Sequence, residues 1–345
     1  MLKIFLFKVN FYLCYDVSMI SKFWTILECS RVFSLPMTIL SWLVVFTYSV
    51  IDSGNTWYGL LAFVGICLVH LGTNLLDDYF DYKALIKQVN FDKKEYLKNT
   101  QKTKCRYLIL GVLTEADVLA VICTYFSIAG LIGAFFLFKC GTPVLYYAIS
   151  AGIIILLYSF LSKIRLSELA VGLTYGPLLF GGVYYVMTKT FSPEVFIHAV
   201  PTMIMTVILL YIHTVMDYEF DLNEEHKTIA NSFDSQLDSL IVLKIFLILA
   251  YASVALICIF DIADWQVFLS WLTIPLAIDL YKSMMDYSID SSSIPEHKWY
   301  HYPMENMEHI KKMDAESFML RMYQSRNLMI YFSIFLTIGL VLSIL

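Results

Sequence analysis

The stretch TWYGLLAFVGICLVHLGTNLLDDYFD, residues 56–81, decides how this chain is read. Its first twenty-one residues are almost wholly apolar, about the length a helix needs to cross a hydrocarbon core. Its end carries Asn74, Asp77, Asp78 and Asp81. A carboxylate inside a membrane helix costs roughly 2.5–3.5 kcal/mol on insertion scales, so acids at the margin of a membrane segment point to function. At helical spacing Asn74, Asp78 and Asp81 share a face, with Asp77 beside it. A second apolar run ends in a similar way, about 140 residues later, in Asp217-Tyr218-Glu219-Phe220-Asp221. Asp217 and Asp221 again share one helical face.

The whole composition agrees with a membrane chain. Hydrophobic residues make up 59% and charged residues 15%, with mean hydropathy +0.68, whereas soluble domains carry about 25% charged residues. Apolar runs occur at approximately 33–51, 56–76, 118–138, 143–162, 168–187, 195–216, 240–260, 265–280 and 328–345. The fold class expected is therefore all-α, a polytopic bundle of about nine transmembrane helices, since open strands cannot satisfy their backbone groups in lipid. Residues 1–24 read as an interfacial lead-in segment and 25–345 as one transmembrane domain. No small-x-small cleavage pattern flanks the apolar patch Ile4–Tyr15.

Charge gives the orientation. Of the 24 Lys and Arg, only Lys139 and Lys189 fall in the loops around 52–55, 139–142, 188–194 and 261–264; the others lie toward the opposite side. By the positive-inside rule the N-terminus and both acidic clusters are cytoplasmic, in an integral membrane protein that would sit in the cell membrane of a bacterium. The seven Cys show no C-x-x-C spacing and read as packing residues. Nothing indicates a nucleic-acid partner or an obligate protein partner.

Asp77-Asp78-Tyr79-Phe80-Asp81 is a D-D-x-x-D string, the arrangement by which soluble isoprenyl diphosphate synthases hold magnesium on a diphosphate. Mg²⁺ takes oxygen ligands, keeps several waters and is commonly shared between one or two carboxylates and substrate phosphates. The bland alternative is that these acids only cap helices at the water boundary. That suffices for Glu219 alone but not for two matched clusters on one side. An ion-coupled transporter is the reading from another class; such sites usually lie near the bilayer midplane in inverted repeats, whereas here the acids lie at helix ends and no internal repeat is evident. Gly172-Leu-Thr-Tyr-Gly-Pro177 reads as close helix packing by small residues in preference to an interrupted helix. The segment from Tyr281 to Asn327 alternates Met, Ile and Phe with charges, the pattern of an interfacial amphipathic helix.

These residues carry a family resemblance. N-x-x-x-D at Asn74 and Asp78, extended to Asp81, with D-x-x-x-D at Asp217 and Asp221, resembles the two signatures of UbiA-type membrane prenyltransferases. Arg31-Val-Phe-Ser-Leu-Pro36 is similar to the family's opening before its first span, and Tyr158-Ser159 followed by Lys163 to its segment after helix four. The stretches Asn74–Asp81, Arg106…Gly111-Val-Leu-Thr114 and Glu168–Leu178 are most similar to 1,4-dihydroxy-2-naphthoate polyprenyltransferases of menaquinone synthesis. The second signature departs from the pattern: His213 and Thr214 stand near the usual Asn, and Glu225-His226-Lys227-Thr228 replaces a G-K pair.

The resemblance implies a bilayer-embedded enzyme that transfers a polyprenyl group from prenyl diphosphate to an aromatic quinone precursor. It favours 1,4-dihydroxy-2-naphthoate, with 4-hydroxybenzoate or another phenol as the alternative acceptor. It implies Mg²⁺ held by Asn74, Asp78, Asp81, Asp217 and Asp221. The catalytic set would be Asp78, Asp81, Asp217 and Asp221, with Asn74, Asp77, Arg106, Lys104, Tyr158, Lys163, Arg31 and Lys227 binding substrate. Arg106 is the foremost donor to the departing diphosphate. Asp77, Glu168 and His70 are the candidates for accepting the acceptor's proton.

Overall fold

The computed structural model describes residues 19–88, 105–223, 227–304, 307–312 and 316–343, and among them every regular element is helical. Helix α1 (Met19–Cys29) leads through a 3₁₀ turn, Val32–Ser34, into α2 (Leu35–Ile51), whose Pro36 sits in the first turn where a missing N–H costs nothing. Helix α3 (Thr56–Leu85) is capped by the Asn55 side chain accepting from Tyr58 N. It runs unbroken past the apolar stretch, so the first acidic cluster lies on the last turns of the spanning helix itself. A five-residue helix α4 (Arg106–Leu110) precedes α5 (Glu115–Cys140), which opens on a Thr114/Asp117 capping box. Then come α6 (Pro143–Lys163), α7 (Ser167–Leu173), a π-helical turn Thr174–Leu178, and α8 (Leu179–Thr188). Helix α9 (Glu194–Met216) ends at Asp217 and is followed by α10 (Tyr218–Asn223) and α11 (Gln236–Ile259). A 3₁₀ segment Trp265–Thr273 continues into α12 (Ile274–Ile289), and the described chain closes with α13 (Met307–Lys312) and α14 (Glu316–Leu342).

Among the described residues, seven segments are long and apolar enough to cross a membrane: 32–51, 56–85, 115–140, 167–188, 194–216, 236–259 and 316–342; Pro143–Tyr158 is a shorter apolar helix. With the 265–289 pair added, the count among the described residues is roughly consistent with the nine spans expected. Helix α2 packs against α3, α8, α9 and α14, and α9 also against α7, α8 and α11. The centre of the bundle is filled by Val44, Phe180, Ile208, Tyr211, Leu243, Leu280 and Phe332. Outward apolar faces such as Leu131, Phe138, Tyr146 and Leu156 stay exposed, as a lipid-facing surface requires. Buried hydroxyls return to their own helix: Ser49, Thr206 and Thr337 each donate to the carbonyl four residues earlier. At Gly339 a Cβ would come within 2.5 Å of the Gln266 carbonyl, so this position lets α14 cross the 265–273 backbone directly.

Two expectations are corrected. Gly172–Pro177 does interrupt a helix. Gly176 adopts φ −94°, ψ −106° inside the π turn, and Pro177 has no N–H to continue the ladder. Close packing is present as well, since a Cβ on Gly176 would meet Met203 Sδ at 2.6 Å. Residues 281–327 do not form one amphipathic helix. The run Ser291-Ser292-Ser293 and Pro295 and Pro303 break it, and buried polar groups hold it instead. Arg321 donates to the carbonyls of Ser283, Ser293 and Ser317. Asp279 accepts from Lys298 and Tyr300.

Candidate active site

The last turns of α3 bring together residues from four parts of the chain. Asp78 is the most enclosed acid of the two clusters, 3% exposed. Its carboxylate takes a hydrogen bond from the Arg31 guanidinium and one from the Tyr107 hydroxyl at 3.3 Å. Its main-chain carbonyl accepts from Cys105 Sγ at 3.0 Å. Arg31 also lies 4.0 Å from Asp77. Burial alone would lower the Arg31 pKa, but the charges of Asp78 and Asp77 outweigh it and the guanidinium is held above its ordinary value. Burial first, and the Asp78 charge second, raise the Tyr107 phenol, which therefore stays protonated as a donor.

Local sequence explains this convergence. Arg31 sits in the left-handed region, φ 56°, at the joint between α1 and the 3₁₀ turn, and so leaves the helical path toward α3. Cys105 and Gly111, both at positive φ, bracket α4, so its few residues fold back onto α3. Tyr107, Leu108 and Leu113 pack there with Leu75, Val118 and Ile122. Tyr107, Cys105, Ser30 and Ser34 were not singled out from sequence; adjacency of Tyr107 to Arg106 was the one available signal. Asn74 donates to the Ser30 carbonyl and to Ser34 Oγ, both at 3.2 Å.

The other expected residues are distributed as follows. Asp77 and Tyr158 line one narrow cleft with Thr73, Leu76, Phe80 and Ile155, which joins α6 to the first cluster. Asp81 is half-buried one turn beyond. Arg106 is half-buried at the start of α4, and Lys163 ends α6 in an exposed position. Lys104 lies outside the described residues. Asp217 caps α9, half-buried, with its carboxylate 3.0 Å from His213 Nδ1. The backbone N–H of Asp221 donates to the Asp217 carbonyl at 2.8 Å, so the two acids of the second cluster follow each other around one turn. Lys227 is exposed. Helices α3 and α9 both pack against α2 and α8. Glu168 is buried and accepts from Ser167 Oγ at 2.8 Å; His70 is half-buried on α3.

Among the described residues, no group of three or more His, Cys, Asp or Glu side chains is assembled tightly enough to hold a metal by itself. The donors present are hard oxygens on two helix ends, with no thiolate in either set. That chemistry fits a divalent cation shared with substrate phosphates and does not fit a closed structural site.

The comparisons agree with this architecture. Residues 34–301 match the UbiA prenyltransferase family. The fold is similar to the apo structure of a UbiA homolog from Aeropyrum pernix K1, with TM-score 0.60 and 15% identity over 89% of this chain and 98% of that one. It is also similar to a structure described as digeranylgeranylglyceryl phosphate synthase in membranes, with TM-score 0.55 and 16% identity over 92% of this chain and 99% of that one. No curated protein matches the chain. With the match covering well over half of the sequence and the fold in agreement, the chain belongs to the UbiA prenyltransferase family and is an integral membrane prenyltransferase.

Proposed function

We propose that this enzyme transfers a polyprenyl group from its diphosphate to an aromatic quinone precursor, with Mg²⁺, at the end of α3. The observation that carries the reading is the gathering of Arg31, Tyr107 and Asn74 around Asp78, with Tyr158 beside Asp77, at the first acidic motif. The motif stretches 74–81, 106–114 and 168–178 favour 1,4-dihydroxy-2-naphthoate as acceptor. His213 in place of the family's usual Asn favours, as second reading, a different phenolic acceptor such as 4-hydroxybenzoate. The loop charges favour a cytoplasmic side for the acidic ends, and the reading takes residues 25–345 as one catalytic domain after the lead-in segment.

Asn74, Asp78 and Asp81 on α3 and Asp217 and Asp221 at the end of α9 would hold the cation together with the diphosphate. When bound, Mg²⁺ supplies charge neutralisation for the leaving group. The chain's own residues do the rest. Arg31 orients the Asp78 carboxylate and keeps positive charge beside it. Arg106 and Lys163, with Lys104 and Lys227, donate to the diphosphate as negative charge grows on it. The apolar interior receives the prenyl chain and excludes the water that would trap an allylic cation. Membranes containing the enzyme, given prenyl diphosphate, Mg²⁺ and a panel of aromatic acceptors, should release diphosphate only together with a prenylated product. An ion-coupled transporter would release none.

A further inference from the structure

His70, one helical turn before Asn74 on α3, is bonded at both ring nitrogens. Nε2 lies 2.6 Å from Ser34 Oγ, and Nδ1 lies 2.6 Å from both Thr38 Oγ1 and the Tyr175 hydroxyl. This network assigns the tautomer. Ser34 has one hydroxyl hydrogen and places it on the Arg31 carbonyl at 2.7 Å, a group that can only accept. It already accepts from Asn74 Nδ2 at 3.2 Å. Ser34 therefore accepts from His70 too, so Nε2 carries the hydrogen and Nδ1 is the accepting nitrogen, bonded by the hydroxyls of Thr38 and Tyr175. The base is thus oriented by a third group before any substrate binds, the arrangement expected of general-base chemistry.

Tyr175 lies in the π-helical turn where Gly176 leaves helical geometry, the kind of irregularity that collects at functional sites. Its partner His70 stands one turn before Asn74 on α3, the helix whose Thr73, Leu76 and Asp77 line the cleft with Tyr158. The dyad is therefore one helical turn from the acidic motif, on the membrane-inward side of Asn74.

We propose that Tyr175 receives the hydroxyl of the aromatic acceptor and relays its proton to His70 Nδ1, which rests on the prenyl-transfer reading above. The acceptor O–H bond breaks as its proton passes to Tyr175 Oη and the Tyr175 proton passes to His70 Nδ1. The electron pair left on the acceptor oxygen is drawn into the ring, whose carbon forms the bond to prenyl C1. The C1–O bond breaks with its pair on the diphosphate. When the ring carbon then gives its own hydrogen as H⁺ to the released diphosphate, or loses its carboxylate as CO₂, the bonding pair returns to the ring and the proton returns from His70 through Tyr175 to the acceptor oxygen. Tyr175 touches the acceptor, and His70 acts through it.

The test compares full-length wild type, His70→Gln, Tyr175→Phe and Glu168→Gln in membranes, using aromatic acceptors graded in hydroxyl acidity by ring fluorination. Fluorine weakens the ring nucleophile equally for every variant, so the readout is the difference in slope of log kcat against acceptor acidity. His70→Gln and Tyr175→Phe should lose about 10²-fold in kcat with the least acidic acceptor and recover toward wild type as acidity rises. The KM for prenyl diphosphate should stay unchanged. Tyr175→Phe keeps the ring and decides alone where His70→Gln does not fold. Parallel slopes for wild type and both variants overturn the relay, as does a steepened slope confined to Glu168→Gln. Wild type that prenylates no hydroxylated acceptor overturns the prenyl-transfer reading itself, which is a separate result.

Discussion

The guanidinium of Arg31 is bonded to the carboxylate of Asp78, 47 residues further along the chain. The pair ties the joint before α2 to the end of α3 and leaves Asp78 buried but compensated. Removing one partner of an enclosed pair strands the other, so coupling should exceed that of a surface ion pair. Arg31→Ala and Asp78→Asn should each lower the melting temperature in detergent. Together they should cost less than their sum, by about 1–3 kcal/mol. Additive losses would mean that the contact contributes nothing to stability.

Arg106 and Lys163 are assigned to the departing diphosphate, where negative charge is greatest in the transition state. Their loss should therefore lower kcat along with kcat/KM. Arg106→Lys is the sharper case, since Lys keeps the charge but lacks the planar fork that holds two phosphate oxygens. It should keep a near-normal KM and lose much of its turnover. Wild-type kinetics for Arg106→Lys would remove Arg106 from the leaving-group site.

Gly176 stands where a Cβ would collide with Met203 Sδ. Gly176→Ala should destabilise the protein by about 1–3 kcal/mol, as overpacking does. Met203→Ala in the same chain should recover part of that loss. Thermal unfolding of the single and double variants in detergent checks this; a Gly176→Ala variant as stable as wild type would show that the π turn tolerates a side chain.

Asn55 and Trp299 are both exposed, and the charge asymmetry of the loops predicts opposite sides of the membrane for them. Single cysteines at these two positions should label from opposite faces in oriented vesicles, with position 299 cytoplasmic. Labelling from one face would undo the nine-span topology.

The spans were legible in the sequence because lipid permits few backbone solutions, and length with apolarity is enough to find them. The acidic motif was legible for a related reason: Asp77 and Asp78 at the end of an apolar run need an explanation that Leu75 does not. What surrounds them was not. Arg31 and Tyr107 reach Asp78 only because Arg31, Cys105 and Gly111 adopt positive φ, and neither Arg31 nor Cys105 is a residue whose identity announces it. Tyr175 was hidden in the same way, since its string rich in Gly and Pro reads more readily as tight packing than as a break, and both are present. The 281–327 segment misled because its alternation of apolar and charged residues serves the buried Arg321 and the half-buried Asp279 of α12, and not a single helical face.

The most direct test of the central claim is product analysis of purified enzyme given a prenyl diphosphate, 1,4-dihydroxy-2-naphthoate and Mg²⁺, alongside chelator and the Asp78→Asn and Asp217→Asn variants. The account predicts a prenylated aromatic product formed in step with diphosphate, lost with chelator, restored by Mg²⁺ or Mn²⁺, and reduced on the order of 10²-fold or more in either variant. Full product formation by Asp78→Asn or Asp217→Asn in excess chelator would contradict it.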